Sequence, residues 1–161
     1  MPHGLFEQID YLETIIKDAL YFHVAFAVDD RPYVVPLNFG YTNGVFYVHS
    51  KPDGKKLALL AQNPRVAFSL QTMVEPMHDA EKAENCTMRY MSVMGEGAAV
   101  LVQDLAEKQL ALDAVCAQYG LEPYDYKVAM LQNIAIIKIT PDQMTGKWAN
   151  VDCDDYFATN V

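Results

Sequence analysis

Apolar residues at Leu5, Ile9, Leu12, Ile15 and Ile16 recur at intervals of three and four, the spacing of one helical face. After this predicted amphipathic helix the period changes to two. "YFHVAFAVDD" and "RPYVVPLNFGY" read as strands joined by a turn at Asp29-Asp30-Arg31-Pro32. Asn43-Gly44 in "GYTNGVFYVHS" is a hairpin signal, because both central residues of a type I′ turn need positive φ. The first three strands are therefore predicted to form an antiparallel meander. "PDGKKLALLAQNP" reads as a short helix, with Asp53 as its cap, Leu57, Leu60 and Ala61 on one face and Pro64 past its end.

Further on, "RVAFSLQTM" is a strand, residues 74–84 a polar loop, and "CTMRYMSVMGEGAAVLVQ" a long strand with a bulge or bend at Gly95 and Gly97. "DLAEKQLALDAVCAQYG" is a helix with Asp104 at its start, Leu105, Leu110, Leu112 and Val115 towards a core, and Gly120 as its stop. "NIAIIKITPDQMTGKWAN" reads as a strand, a turn at Pro141-Asp142 and a short final strand, followed by a loosely held acidic tail, "DCDDYFATN". Six or seven strands with few helices between them predict one mainly β domain over residues 1–161. A closed or partly closed barrel would hide its sheet edges.

Charge changes this picture at one place. The 161 residues carry a formal net charge of -9, which disfavours nucleic acid or an acidic membrane as partner, since both are polyanions. Yet four of the twelve Lys and Arg residues fall between Lys51 and Arg65. His49, Ser50 and Lys51 lie where a strand leaves the sheet, and Lys55 and Lys56 in the first turn of the following helix. Helix N–H groups, a hydroxyl and ammonium groups converging on one point would suit a phosphate monoester. On charge pattern alone, a solvated basic loop is as good a reading. The three cysteines, Cys86, Cys116 and Cys153, form no CxxC pair and suggest a reducing, cytoplasmic setting. The first twenty residues show no basic-then-apolar leader, and no apolar run reaches the length of a spanning helix.

The stretch "VVPLNFGYTNGVFYVHSKPDGKKLALLAQNPRVAFSL" closely resembles the flavin-binding split-barrel superfamily of pyridoxamine-5′-phosphate oxidase, most of all its nitroimidazole-resistance branch. The shared pattern is a Pro-containing strand, a hairpin, an aromatic strand ending in His-Ser, a Gly-Lys-Lys helix start and "NPRVAF". "RYMSVMGEGAAVLV" and "MTGKW" are similar to later family strands, so the resemblance spans roughly residues 5–150. It implies a six-stranded antiparallel split β-barrel that dimerises, with FMN in grooves between the subunits. Carried over by position, Ser50, Lys51, Lys55 and Lys56 would contact the phosphate. Pro36, Leu37 and Asn38 would pass beside the isoalloxazine ring, Gln71 and Thr72 end the strand after "NPRVAF", and Tyr90 and Ser92 lie near the cofactor or the partner chain. No arginine-rich set follows near the C-terminus, so pyridoxamine-phosphate oxidation itself is disfavoured.

Other residues have competing readings. His49 could contact the phosphate, donate a proton near the ring, ligate haem iron, or simply bond to its loop. His23, in an alternating strand, is better read as a satisfied sheet histidine, and His3 and His78 are isolated, with no zinc spacing. Trp148 could cover a flavin face or pack in a core, and Tyr90 could bond in the groove or pack. Cys86 has no neighbouring base, and the methionines read as core filler. Together these readings predict an FMN-dependent oxidoreductase. A transiently bound nicotinamide would reduce it, and it would reduce small electron-poor acceptors such as nitro compounds or quinones. The alternatives are a haem-binding split barrel using His49 or His23, and a flavin-binding module without turnover.

Overall fold

The computed structural model describes residues 3–160. Its strands are β1 (His3–Phe6), β2 (Phe22–Val28), β3 (Arg31–Leu37), β4 (Gly40–Thr42), β5 (Val45–Ser50), β6 (Arg65–Met77), β7 (Thr87–Leu101) and β8 (Ala135–Ala149). The helices are α1 (Ile9–Asp18), α2 (Lys55–Leu60), α3 (Leu105–Gln118), α4 (Val128–Asn133) and α5 (Cys153–Asn160), with one 3-10 turn at Ala83–Asn85. The sheet order is β3-β2-β6-β7-β8-β5-β4, with β1 paired to β8. This is the mainly antiparallel architecture of a split barrel, with eight strands rather than six. No helix among the described residues is long and apolar enough to cross a membrane.

The chain forms two compact units, each fed by β6, β7 and β8. Unit 2 holds Leu20–Phe68 and Glu96–Gln143. Its two hairpins follow from their turns: Asp29 and Asp30 have φ of 51° and 58°, and Asn43 and Gly44 have 51° and 76°. The predicted meander, however, does not form. β3 pairs with β2 and β4 with β5, and these pairs lie at opposite ends of the strand order. One face of these strands builds an aromatic interior. Phe22 lies 4.9 Å from Phe39 and 5.3 Å from Phe46, and Phe46 lies 5.0 Å from Phe68, between ring centroids. The other face of β5 and β8 packs Tyr47 and Ile136 against Ala111, Leu112 and Ala114 of α3 and Leu131 of α4. A Cβ on Gly40 would come within 2.3 Å of the Val115 backbone N, so glycine lets α3 lie on β4.

Several expectations for unit 2 need correction. Asp53 does not cap α2. The cap position is Gly54, at φ 117°, and no side chain bonds there. At this φ a side chain at Gly54 would be strained, although space for a Cβ is open. Leu110 is 43% exposed rather than in the core, because α3 buries a face through Lys108, Ala111, Leu112 and Val115. Pro141-Asp142 is not a turn, and β8 runs through it. Gly97 allows the close crossing, since its Cβ would meet Thr140 O at 2.2 Å, and Arg65 ion-pairs with Asp142. Asp104 caps α3 as predicted, accepting from Glu107 N at 2.8 Å, and Gly120 stops it at φ 67°.

Unit 1 gathers the residues up to Ala19, Ser69–Gly95 and the residues from Met144. Leu5 belongs to a strand and is 68% exposed, so the first helix begins only at Ile9. β1 is held to β8 by two glycine–aromatic pairs. A Cβ on Gly4 would meet the Trp148 indole at 2.7 Å, and one on Gly146 the Phe6 ring at 2.0 Å. The stretch from Val74 is strand as far as Met77, not loop. The acidic tail is the helix α5, whose Asp152 carboxylate accepts from Asp155 N at 3.1 Å. Tyr11 stacks on Phe157 at 3.8 Å, and Tyr156 donates to Asp18 at 2.6 Å.

Candidate functional site

Side chains alternate across a strand, and the contacts fix which face is which. Phe46 touches Phe22, so Phe46, Val48 and Ser50 share the aromatic interior of unit 2, while Tyr47 and His49 face α3. On β3, Tyr33 pairs with Phe26 and Leu37 with Phe22, so both point to that same interior. Ser50 is 8% exposed and its Oγ has no hydrogen-bond partner. The buried Nδ1 of His49 and Oδ1 of Asp113 also lack one among the described residues. A buried polar group without a partner costs on the order of 1–3 kcal/mol, so such a group marks a place where a further partner belongs.

The chain then leaves the sheet at Lys51 and enters α2 at Lys55 and Lys56. Lys51 and Lys55 are exposed and Lys56 is half-buried. Among the described residues none of the three has an ion-pair partner, whereas Arg65, Arg89 and Lys138 all do. α2 has only six residues, so its macrodipole adds little. Its first internal bonds run from Leu57 N and Ala58 N to Gly54 O, both 3.1 Å, which leaves the Lys55 and Lys56 N–H groups ahead of the ladder. Gly54 lets the backbone turn into this arrangement. Lys55 Nζ rests 4.2 Å from the centroid of the Tyr33 ring, a contact the sequence did not reveal.

The predicted residues therefore separate. Ser50 ends β5 with one buried hydroxyl, and Lys51, Lys55 and Lys56 follow it along the chain into α2. His49 points to the opposite face of β5 and cannot share a single anion with Ser50 by simple strand geometry. Pro36 and Asn38 are exposed, and Leu37 is half-buried. His23 pairs with Pro36 across β2 and β3, its ring edge-on to Tyr21.

The remaining five candidates lie in unit 1. Gln71 is exposed and donates to Ser69 Oγ at 2.6 Å, and Thr72 is half-buried. Ser92 donates to Lys147 O at 3.3 Å, and Lys147 Nζ lies 6.0 Å from the Tyr90 ring centroid. Trp148 is half-buried against Gly4. It also lines a cleft of about 410 Å³ with Asn150, Asp152, Cys153 and Asp154. Two carboxylates make that cleft hostile to a phosphate. The Cys153 thiol is pushed up to about 11, first by burial and then by the charges of Asp154 and Asp152, so it is a poor nucleophile. Among the described residues, no group of three His, Cys, Asp or Glu is placed to hold a metal ion.

Residues 9–148 match the family model of pyridoxamine 5'-phosphate oxidase. The chain is similar to a Bacteroides thetaiotaomicron protein assigned to 5-nitroimidazole antibiotic resistance. Identity is 31% over 91% of this chain and 87% of that one, with a TM-score of 0.80. A FAD-binding protein from Mesorhizobium loti shares 23% identity over 93% and 100% of the two chains, with a TM-score of 0.67. A FAD and haem binding protein from Mycobacterium smegmatis shares 17% over 98% and 80%, with a TM-score of 0.75. No curated protein sequence matches.

Proposed function

Because the chain belongs to the pyridoxamine 5'-phosphate oxidase family, we propose that it binds a flavin, FMN, with the phosphate at Ser50, Lys51, Lys55 and Lys56. The observation that carries this reading is the Ser50 hydroxyl, buried at the strand end without a partner among the described residues and followed within six residues by three lysines that none of the described carboxylates pairs with. The donor set fits the group. A hydroxyl and two leading N–H groups can donate to phosphate oxygens, and the ammonium groups balance its charge. Leu37 would offer an apolar contact to the ring. Pro36 and Asn38 lie on the same segment and would border the ring.

A bound flavin would supply two-electron redox chemistry. We infer an oxidoreductase reducing small electron-poor acceptors such as nitro compounds or quinones, with a nicotinamide donor bound transiently and a cytoplasmic setting. The functional unit would be a homodimer with the cofactor at the interface. Val74 of β6 and Met88 and Met94 of β7 are exposed apolar residues that a second copy would cover. The haem alternative would use His23 or His49, whose buried Nδ1 is likewise without a partner among the described residues and lies on the face of β5 opposite Ser50.

The absorption spectrum tests the reading. Purified protein should carry the visible absorption of a flavin, or, titrated with FMN, should perturb the flavin bands and its fluorescence in a saturable way. A colourless protein that takes up no FMN would refute it.

A further inference from the structure

Three features of unit 2 meet at Tyr33. It lies on β3, which ends the strand order and has β2 as its neighbour. Its pairing with Phe26 turns it towards the same interior as Ser50. The Lys55 ammonium sits 4.2 Å from its ring centroid, well inside the reach of a cation–π contact. Lys55 is exposed and has no carboxylate partner among the described residues, so the ring is the contact that holds its head group.

From this we propose that Tyr33 is a positioning residue of the anion seat, acting through Lys55. The inference rests on the flavin-phosphate reading above. A lysine head group is a strongly hydrated point charge on a flexible stem, and a free one loses both hydration and rotamer freedom when it meets an anion. The Tyr33 ring has already removed water from one side of the ammonium and restricted the stem. A ring covers one hemisphere of the head group, and the other keeps N–H bonds for a phosphate oxygen. Ring and anion are therefore additive partners rather than competitors. The Tyr33 hydroxyl has no part in this, so phenylalanine should replace tyrosine.

The test compares Tyr33→Leu, which removes the ring, with Tyr33→Phe, which keeps it. FMN and riboflavin are titrated into each variant and the parent. In Tyr33→Leu, FMN affinity should fall about three- to tenfold, what holding one lysine side chain in place beforehand saves on binding. Riboflavin affinity should not change, and Tyr33→Phe, which keeps the ring, should bind both within about twofold of the parent. Tyr33→Leu binding FMN as tightly as the parent or tighter, or losing both ligands by one factor, would overturn the proposal. The ε-methylene NMR signal of Lys55 in the parent gives a second readout that needs no variant. It should be ring-shifted in the free protein and stay so with FMN bound. A shift abolished by FMN would mean that ring and phosphate compete, which also overturns it. A parent that binds FMN no better than riboflavin would sink the phosphate reading first, and this inference with it. A Lys55 signal never ring-shifted would sink this inference alone.

Discussion

Ser50 places a hydroxyl among the residues that follow Phe46 and Val48 into an apolar interior, and nothing in unit 2 bonds to it. If that hydroxyl waits for a ligand, removing it relieves the free protein of an unmet desolvation cost of about 1–3 kcal/mol. Ser50→Ala should then leave the ligand-free melting temperature unchanged or raise it, while weakening FMN binding. Calorimetry with and without FMN would show both effects. A melting temperature lowered by several degrees, with FMN affinity intact, would make Ser50 a structural residue. Parts of this were legible in the sequence: His-Ser at the end of an aromatic strand and Gly-Lys-Lys five residues on. Strand parity, which sends His49 and Ser50 to opposite faces, was also there to be read. The Tyr33–Lys55 contact was not, because it joins residues twenty-two positions apart and depends on where α2 lies over β2 and β3.

At the scale of elements, local signals worked where local physics decides. Asn43-Gly44 made its hairpin, and Asp104 made its cap. They failed where a distant segment decides. Pro141 reads as a turn but continues β8, because Gly97 admits the crossing strand and Asp142 is held by Arg65. Leu5 fits the helical spacing but joins β1, which pairs along the end of β8. The acidic tail carried a cap, Asp152, and acidic residues in its first turn, a helix start that reads clearly once Phe157 is seen to be buried.

That tail also sets a pH dependence. Burial pushes the Tyr156 phenol above its ordinary value, and the hydrogen bond and charge of Asp18 push it further. The native state therefore holds the proton more tightly than the unfolded chain. This contribution is complete below the unfolded value near 10 and is lost as pH rises through the folded one. Denaturant midpoints should fall from about pH 10 upwards, and less steeply in Tyr156→Phe. Identical slopes in parent and variant would show that the Tyr156–Asp18 contact does not bear on stability.

For the molecule as a whole, the two scales of charge oppose one another. A net charge of -9 would repel an anionic ligand at long range, while Lys51, Lys55 and Lys56 would attract it locally. Exposed Val74, Met88 and Met94 argue for a second copy, so light scattering should give about 36 kDa, twice the 18.1 kDa of one chain. A monomer at micromolar concentration would contradict the dimer.

The central claim, a phosphate seat at Ser50 and the lysines that follow it, is tested most directly by FMN and riboflavin binding to a Lys55→Ala, Lys56→Ala double variant. The two ligands share a ring and differ by the phosphate. Charge-assisted contacts contribute roughly 1.5–3 kcal/mol each, so losing two should lower FMN affinity on the order of a hundredfold or more. Riboflavin affinity should barely change, and added salt should weaken FMN binding less in the variant than in the parent. Loss of FMN and riboflavin affinity by the same factor would contradict the account, because the lysines would then shape the protein rather than hold a phosphate.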